Sequence, residues 1–139
     1  MRFFRRAPRS RFRADMLQWL DAFGRYQLDP QRSNVPPESG MNPWDWFGWL
    51  WEMMKEDPDG FFTDLRTIVA EDRGGFATYG AACVARELLS GEGREPPAAL
   101  ALIDAGIEFK LARGLGSFSL TAYENRRLME TRRQSEQDR

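Results

Sequence analysis

Three carboxylate pairs, Glu52 with Glu56, Glu71 with Asp72, and Asp104 with Glu108, are the side chains of this chain best spaced to do chemistry. Each pair fits within one helical turn. There a raised pKa would set a general acid beside a general base, or two anions would share a divalent cation. Little else of a catalytic kind accompanies them. The 139 residues include no histidine and one cysteine. That removes the usual base near neutral pH, the Ser-His and Cys-His nucleophile pairs, and the common zinc motifs within one chain. Phosphate-binding and dinucleotide-binding glycine loops and the nucleophile elbow are likewise missing.

The run Asp57-Pro58-Asp59-Gly60 invites comparison with a calcium loop. With Gly60 at its sixth position, Lys55 and Arg66 fall where carboxylates are required, so the comparison fails. Asp57 reads instead as a helix cap and Asp59 as a first-turn acid. Tyr79, Tyr123, Arg113 and a candidate anion-binding nest at residues 114–119 complete the catalytic inventory. Carboxylate pairs are more often two solvated acids on an exposed helix face. The chain therefore reads as non-enzymatic, with no cofactor or metal called for, and a carboxylate-dependent enzyme is a minor alternative.

The elements that must position these groups are helical. Met16, Trp19, Leu20 and Phe23 recur at helical spacing from about Ala14, and Asp29-Pro30 stops that helix by Leu28. Residues 29–41, rich in proline, serine and glycine, read as a loop. Asn42-Pro43 then supplies an N-cap with proline at N1, opening a second helix that runs to about Glu56. Asp57-Pro58 repeats the signal for a third, with Phe61 or Phe62, Leu65, Ile68 and Val69 inward and Gly74-Gly75 as its exit. A fourth, near 76–89, sets Ala77, Ala81, Val84 and Leu88 on one face beside Phe76, Tyr79, Gly80 and Cys83. Those small residues admit the close approach of another backbone, the second helix being the candidate. Pro96-Pro97 opens a fifth carrying Leu100, Ile103, Ile107, Leu102 and Phe109, capped by Gly114. Thr121 to Glu124 fits a capping box for a sixth. No long segment alternates with period two. The fold expected is all-α: a compact bundle or short helical array of about five to six helices.

The second helix holds four of the five tryptophans: Trp44, Trp46, Trp49 and Trp51. Phe47, Leu50, Trp51 and Met54 form an i, i+3, i+4, i+7 stripe, with Trp46, Trp49 and Met53 on the neighbouring face. Only Asp45, Gly48, Glu52, Lys55 and Glu56 remain for a polar strip. A helix so apolar is either wrapped by others or pressed against a partner. Four indole N–H groups are awkward to bury together. Trp46 or Trp49 is expected inside, and Trp44 and Trp51 nearer the surface. Trp44, Trp49, Trp51 and Met54 are the candidate partner-binding residues.

Charge divides the chain in three. Residues 1–13 carry six arginines (Arg2, Arg5, Arg6, Arg9, Arg11, Arg13) and no acid, and read as a flexible basic arm. Residues 14–123 hold nine basic and seventeen acidic side chains, a net −8, within a single domain expected to span 14–131. Residues 132–139 read as a charged, solvated tail. The arm is expected to fold back on the acidic body or to pair with a neighbouring subunit, in either case salt-dependently.

Eighteen arginines against two lysines read as the imprint of a high-GC bacterial genome. One cysteine and no apolar run long enough to span a bilayer place the expected compartment in the cytoplasm. Cys83, among alanines, reads as a small buried thiol. Together these features predict a protein-interaction module that docks another protein through its aromatic helix and acidic surface. Immunity proteins, antitoxins and regulatory or assembly subunits are the class analogues, and homo-oligomers fall within the same reading. The alternative is a nucleic-acid-associated protein that uses the arginine and phenylalanine of residues 1–13 on phosphates and bases. The acidic body opposes it.

Overall fold

A computed structural model describes residues 9–28, 43–72, 75–116 and 119–138, with side chains from residue 16 in the first helix and from residue 48 in the second. These residues form six α-helices: α1 (Arg9–Leu28), α2 (Pro43–Glu56), α3 (Pro58–Val69), α4 (Ala77–Leu89), α5 (Pro97–Ala112) and α6 (Thr121–Gln137). No strand occurs among them. The fold is all-α, as the periodicity predicts. Among the described residues no helix is long and apolar enough to cross a membrane.

Local signals place most ends. Asp57 is the N-cap of α3 and its carboxylate accepts the Gly60 N–H at 3.1 Å, with Pro58 at N1. Helix α5 starts at Pro97 and ends at Ala112, with Arg113 as its C-cap and Gly114 at φ +62°. The Leu115 N–H bonds the Lys110 carbonyl and the Gly114 N–H bonds that of Leu111, the paired bonds of a Schellman end.

Three ends differ from expectation. Helix α1 begins at Arg9, five residues before Ala14, since arginine is a good helix former and nothing in residues 9–13 breaks a helix. The basic arm is thus helical from Arg9 onward. At the other end, Leu120 is the N-cap of α6 without a side-chain cap bond, and Thr121 is the first helical residue. The expected capping box is shifted one residue out of register, and Glu124 instead receives the Lys110 ammonium. Helix α6 also runs through residues 132–137, where a frayed tail was expected.

The centre is α4. Ala77, Tyr79 to Ala85, Leu88 and Leu89 are all buried. Helix α1 lies against α4 through Met16, Trp19, Leu20 and Phe23, with Trp19 stacked on Phe23 at 5.1 Å. Helix α5 packs on α4 as well, α3 contacts both, and α2 is joined chiefly to α3. The close approach offered by the small residues of α4 is used by α1 and α5, not by the tryptophan helix. A Cβ at Gly80 would lie 1.9 Å from the Leu20 carbonyl oxygen, one at Gly24 2.2 Å from that of Phe76, and one at Gly106 2.3 Å from the Ala82 Cβ. Alanine and glycine let two neighbours come near; bulky indoles do not. That is why α4 rather than α2 is wrapped.

The N-terminus of α4 has no cap of its own and borrows two. Asp21 of α1 accepts the Phe76 N–H at 3.0 Å, and Asp72 accepts the Thr78 N–H at 2.9 Å and its hydroxyl at 3.2 Å. Asp21 also takes Arg25 Nε at 2.8 Å. Two carboxylates thus meet the positive end of the α4 dipole.

Candidate functional site

Among the described residues of α2, 48–56, the fully covered side chains lie on one stripe. Leu50 is fully buried and Met54 is 2% exposed. Gly48, Glu52, Lys55 and Glu56 are exposed on the far side, the narrow polar strip expected of this helix. Between the two lie Trp49, Trp51 and Met53, half-buried and packed against the core cluster. Helical geometry separates them into two shoulders. Trp49 and Met53 flank the buried stripe on one side, and Trp51 flanks it on the other. The Lys55 ammonium stands 5.6 Å from the Trp51 ring centroid and 3.8 Å from the Glu52 carboxylate. One shoulder is therefore aromatic and sulfur-rich; the other is an indole rimmed by both charges.

Of the sequence-predicted partner-binding residues, Trp49 and Trp51 retain exposed surface. Met54 does not. It follows Leu50 by one turn on the core-facing stripe, so it supports the helix from beneath and is no part of an accessible surface. The side chains of Trp44 and Trp46 lie outside the described residues, as do Arg2, Arg5 and Arg6. Arg9, Arg11 and Arg13 fall in the first turns of α1, with their side chains also outside that set.

The carboxylate pairs have structural employment. Asp72 caps α4, Glu108 pairs with Arg127, and Glu52 pairs with Lys55. Among the described residues no group of three or more histidine, cysteine or acidic side chains is arranged to hold a metal ion. Tyr79 is fully buried, which removes it from any substrate. In the candidate nest, the N–H groups of Gly114 and Leu115 are consumed by the end of α5, so they are not offered to an anion. Arg113 lies 3.9 Å over the Phe109 ring. Cys83 is buried, and burial pushes its thiol up to about 12, outweighing the opposing pull of Arg86 and of hydrogen bonds with Tyr79 and Ser119. It is inert as a nucleophile.

Two features have no local signal in the sequence. Two edge-to-face rings are held between two guanidinium groups: Arg25 over Phe76 at 4.1 Å, Phe76 edge-on to Phe109 at 5.3 Å, then Arg113 over Phe109. A cleft of about 400 Å³ separates α5 from α6, with Leu100, Ile103 and Tyr123 on its walls. Both join residues brought together only by topology.

No protein-family model, curated protein or solved structure compared with this chain matches it.

Proposed function

We propose that this chain is a non-enzymatic docking module that binds another protein through the shoulders of α2, Trp49 with Met53 and Trp51 with Lys55, beside an acidic body. The observation that carries the reading is the half-burial of these large side chains on a helix whose contacts with the body are chiefly with α3. A half-buried indole packed against the core is already ordered, so a partner covering the rest of it gains apolar contact at little further entropic cost. Tryptophan and methionine are enriched at interface centres for this reason. The acidic body would then steer a basic partner toward the helix.

The test separates binding from folding. Tagged wild type and the Trp51→Ala and Trp49→Ala variants are used to capture partners from the native lysate, with and without nuclease, and the stability of each is measured in urea. The expected outcome is a stoichiometric protein partner that survives nuclease and is lost in the variants, with stability lowered by less than about 3 kcal/mol. Leu50→Ala, on the buried stripe, is the contrasting control and should cost about 2–5 kcal/mol. Recovery that disappears with nuclease would replace this reading with nucleic-acid association through residues 1–13.

A further inference from the structure

Helix α6 buries no residue. Leu128 and Met129 are each 56% exposed, and the apolar contact of the helix with the core is confined to the half-buried Tyr123 in its first turn. A polar helix of this length has little stability alone in water, so its position depends on what holds it. Three ion pairs do so. Arg126 grips Glu95 in a fork, at 3.0 and 2.9 Å. Arg127 meets Glu108, and Lys110 of α5 meets Glu124, both at 2.5 Å. Arg126 also covers the Tyr123 ring at 4.8 Å. At the root the situation reverses: Leu120 is fully buried, beside Gly106 of α5. An apolar pin at one end and charges along the shaft describe a hinged strap.

We propose that α6 is an electrostatically latched strap, which pivots at Leu120 and leaves the α1–α5 body as a unit when the pairs Glu95–Arg126, Glu108–Arg127 and Lys110–Glu124 are screened. Undocking lays open the α5 wall of the cleft, Leu100 and Ile103, while α4 and its neighbours, held by apolar packing, stay folded. The charges of the latch come from three places, the turn before α5, α5 itself and α6; salt screens the exposed pairs Glu95–Arg126 and Glu108–Arg127 most, and Lys110–Glu124, with side chains 11% and 21% exposed, least. Apolar packing does not weaken with added salt, and this distinguishes the strap from the body.

Hydrogen exchange of the full chain, resolved by peptide, tests this between roughly 0.01 M and 1 M NaCl, where the Debye length falls from about 30 Å to about 3 Å. Amides of residues 121–137 should exchange roughly tenfold faster at high salt, while those of α4 do not change. Arg126→Glu should give the fast rate already at low salt, and the swapped pair Glu95→Arg with Arg126→Glu should restore the slow one. Exchange in α6 that is the same at both salts, whether slow or fast, overturns the proposal. So does opening of α6 only together with α4. The wild-type salt comparison decides the matter even if a variant fails to fold.

Discussion

Two glycines in helices, Gly48 and Gly80, have opposite meanings, and the difference is a matter of what surrounds a single missing methyl. At Gly80 an added Cβ would press on the Leu20 carbonyl, backbone that cannot move without separating α1 from α4. Gly80→Ala should therefore destabilise the protein by about 2–3 kcal/mol in urea denaturation. At Gly48, exposed on α2, nothing lies within 4 Å. Gly48→Ala should instead stabilise by about 0.5–1 kcal/mol, the ordinary helix-propensity gain.

Cys83 gives a pH prediction at the same scale. Its thiol holds its proton to about pH 12 in the fold, against an ordinary value of 9.0. The unfolded chain releases that proton first. The Cys83 contribution is therefore complete below about pH 9 and declines as pH rises from there toward 12. Stability-versus-pH curves of wild type and Cys83→Ala should run parallel below pH 9 and converge above it; a constant offset through pH 11 would contradict the assignment. A thiol reagent at pH 8 should label Cys83 only after unfolding.

Among the elements, α4 is unusual in depending on others for its beginning. Asp21→Ala removes the acceptor of the Phe76 N–H and a negative charge at the helix start, and should cost about 1–2 kcal/mol. Asp21→Asn keeps an acceptor oxygen and should recover part of that loss, as thermal denaturation of the two variants would show. This dependence also marks the limit of what was legible in the sequence. Ends set by neighbouring residues were readable: Asp57-Pro58, Pro97 and Gly114 act through bonds spanning a few positions. The borrowed caps of α4 and the register of Thr121 were not, because nothing local distinguishes a carboxylate that caps a distant helix from one facing solvent. The same holds for the candidate site. The polar strip of α2 and its inward Leu50 follow from helical spacing. Met54, a partner-binding candidate by residue type, is buried, because spacing gives the angle between residues on a helix but not where the core lies around it.

At the scale of the whole molecule, the choice of central helix was the main thing the composition concealed. Total apolarity favours α2, but the capacity to be surrounded favours α4, whose alanines and glycine permit backbones on two sides. Bulky residues fill a boundary; small ones allow a centre. The arrangement that follows is graded from inside outward: α4 enclosed, α1, α3 and α5 around it, α2 joined chiefly to α3, and α6 with no buried residue and three ion pairs to the body. The two outermost helices are those to which binding and movement are assigned above, as expected where local stability is lowest.

The contact between α1 and α4 also has a consequence in time. Asp21 and Phe76 touch across 55 residues of chain, and synthesis proceeds at roughly 5–20 residues per second. Once α1 has been made, its apolar face of Met16, Trp19, Leu20 and Phe23 waits about 3–11 s for the helix that covers it. During that interval the growing chain presents a tryptophan-bearing amphipathic helix with no mate. A nascent chain halted before residue 77 should accordingly be the form most readily held by a general chaperone, and one extended through α4 should be released.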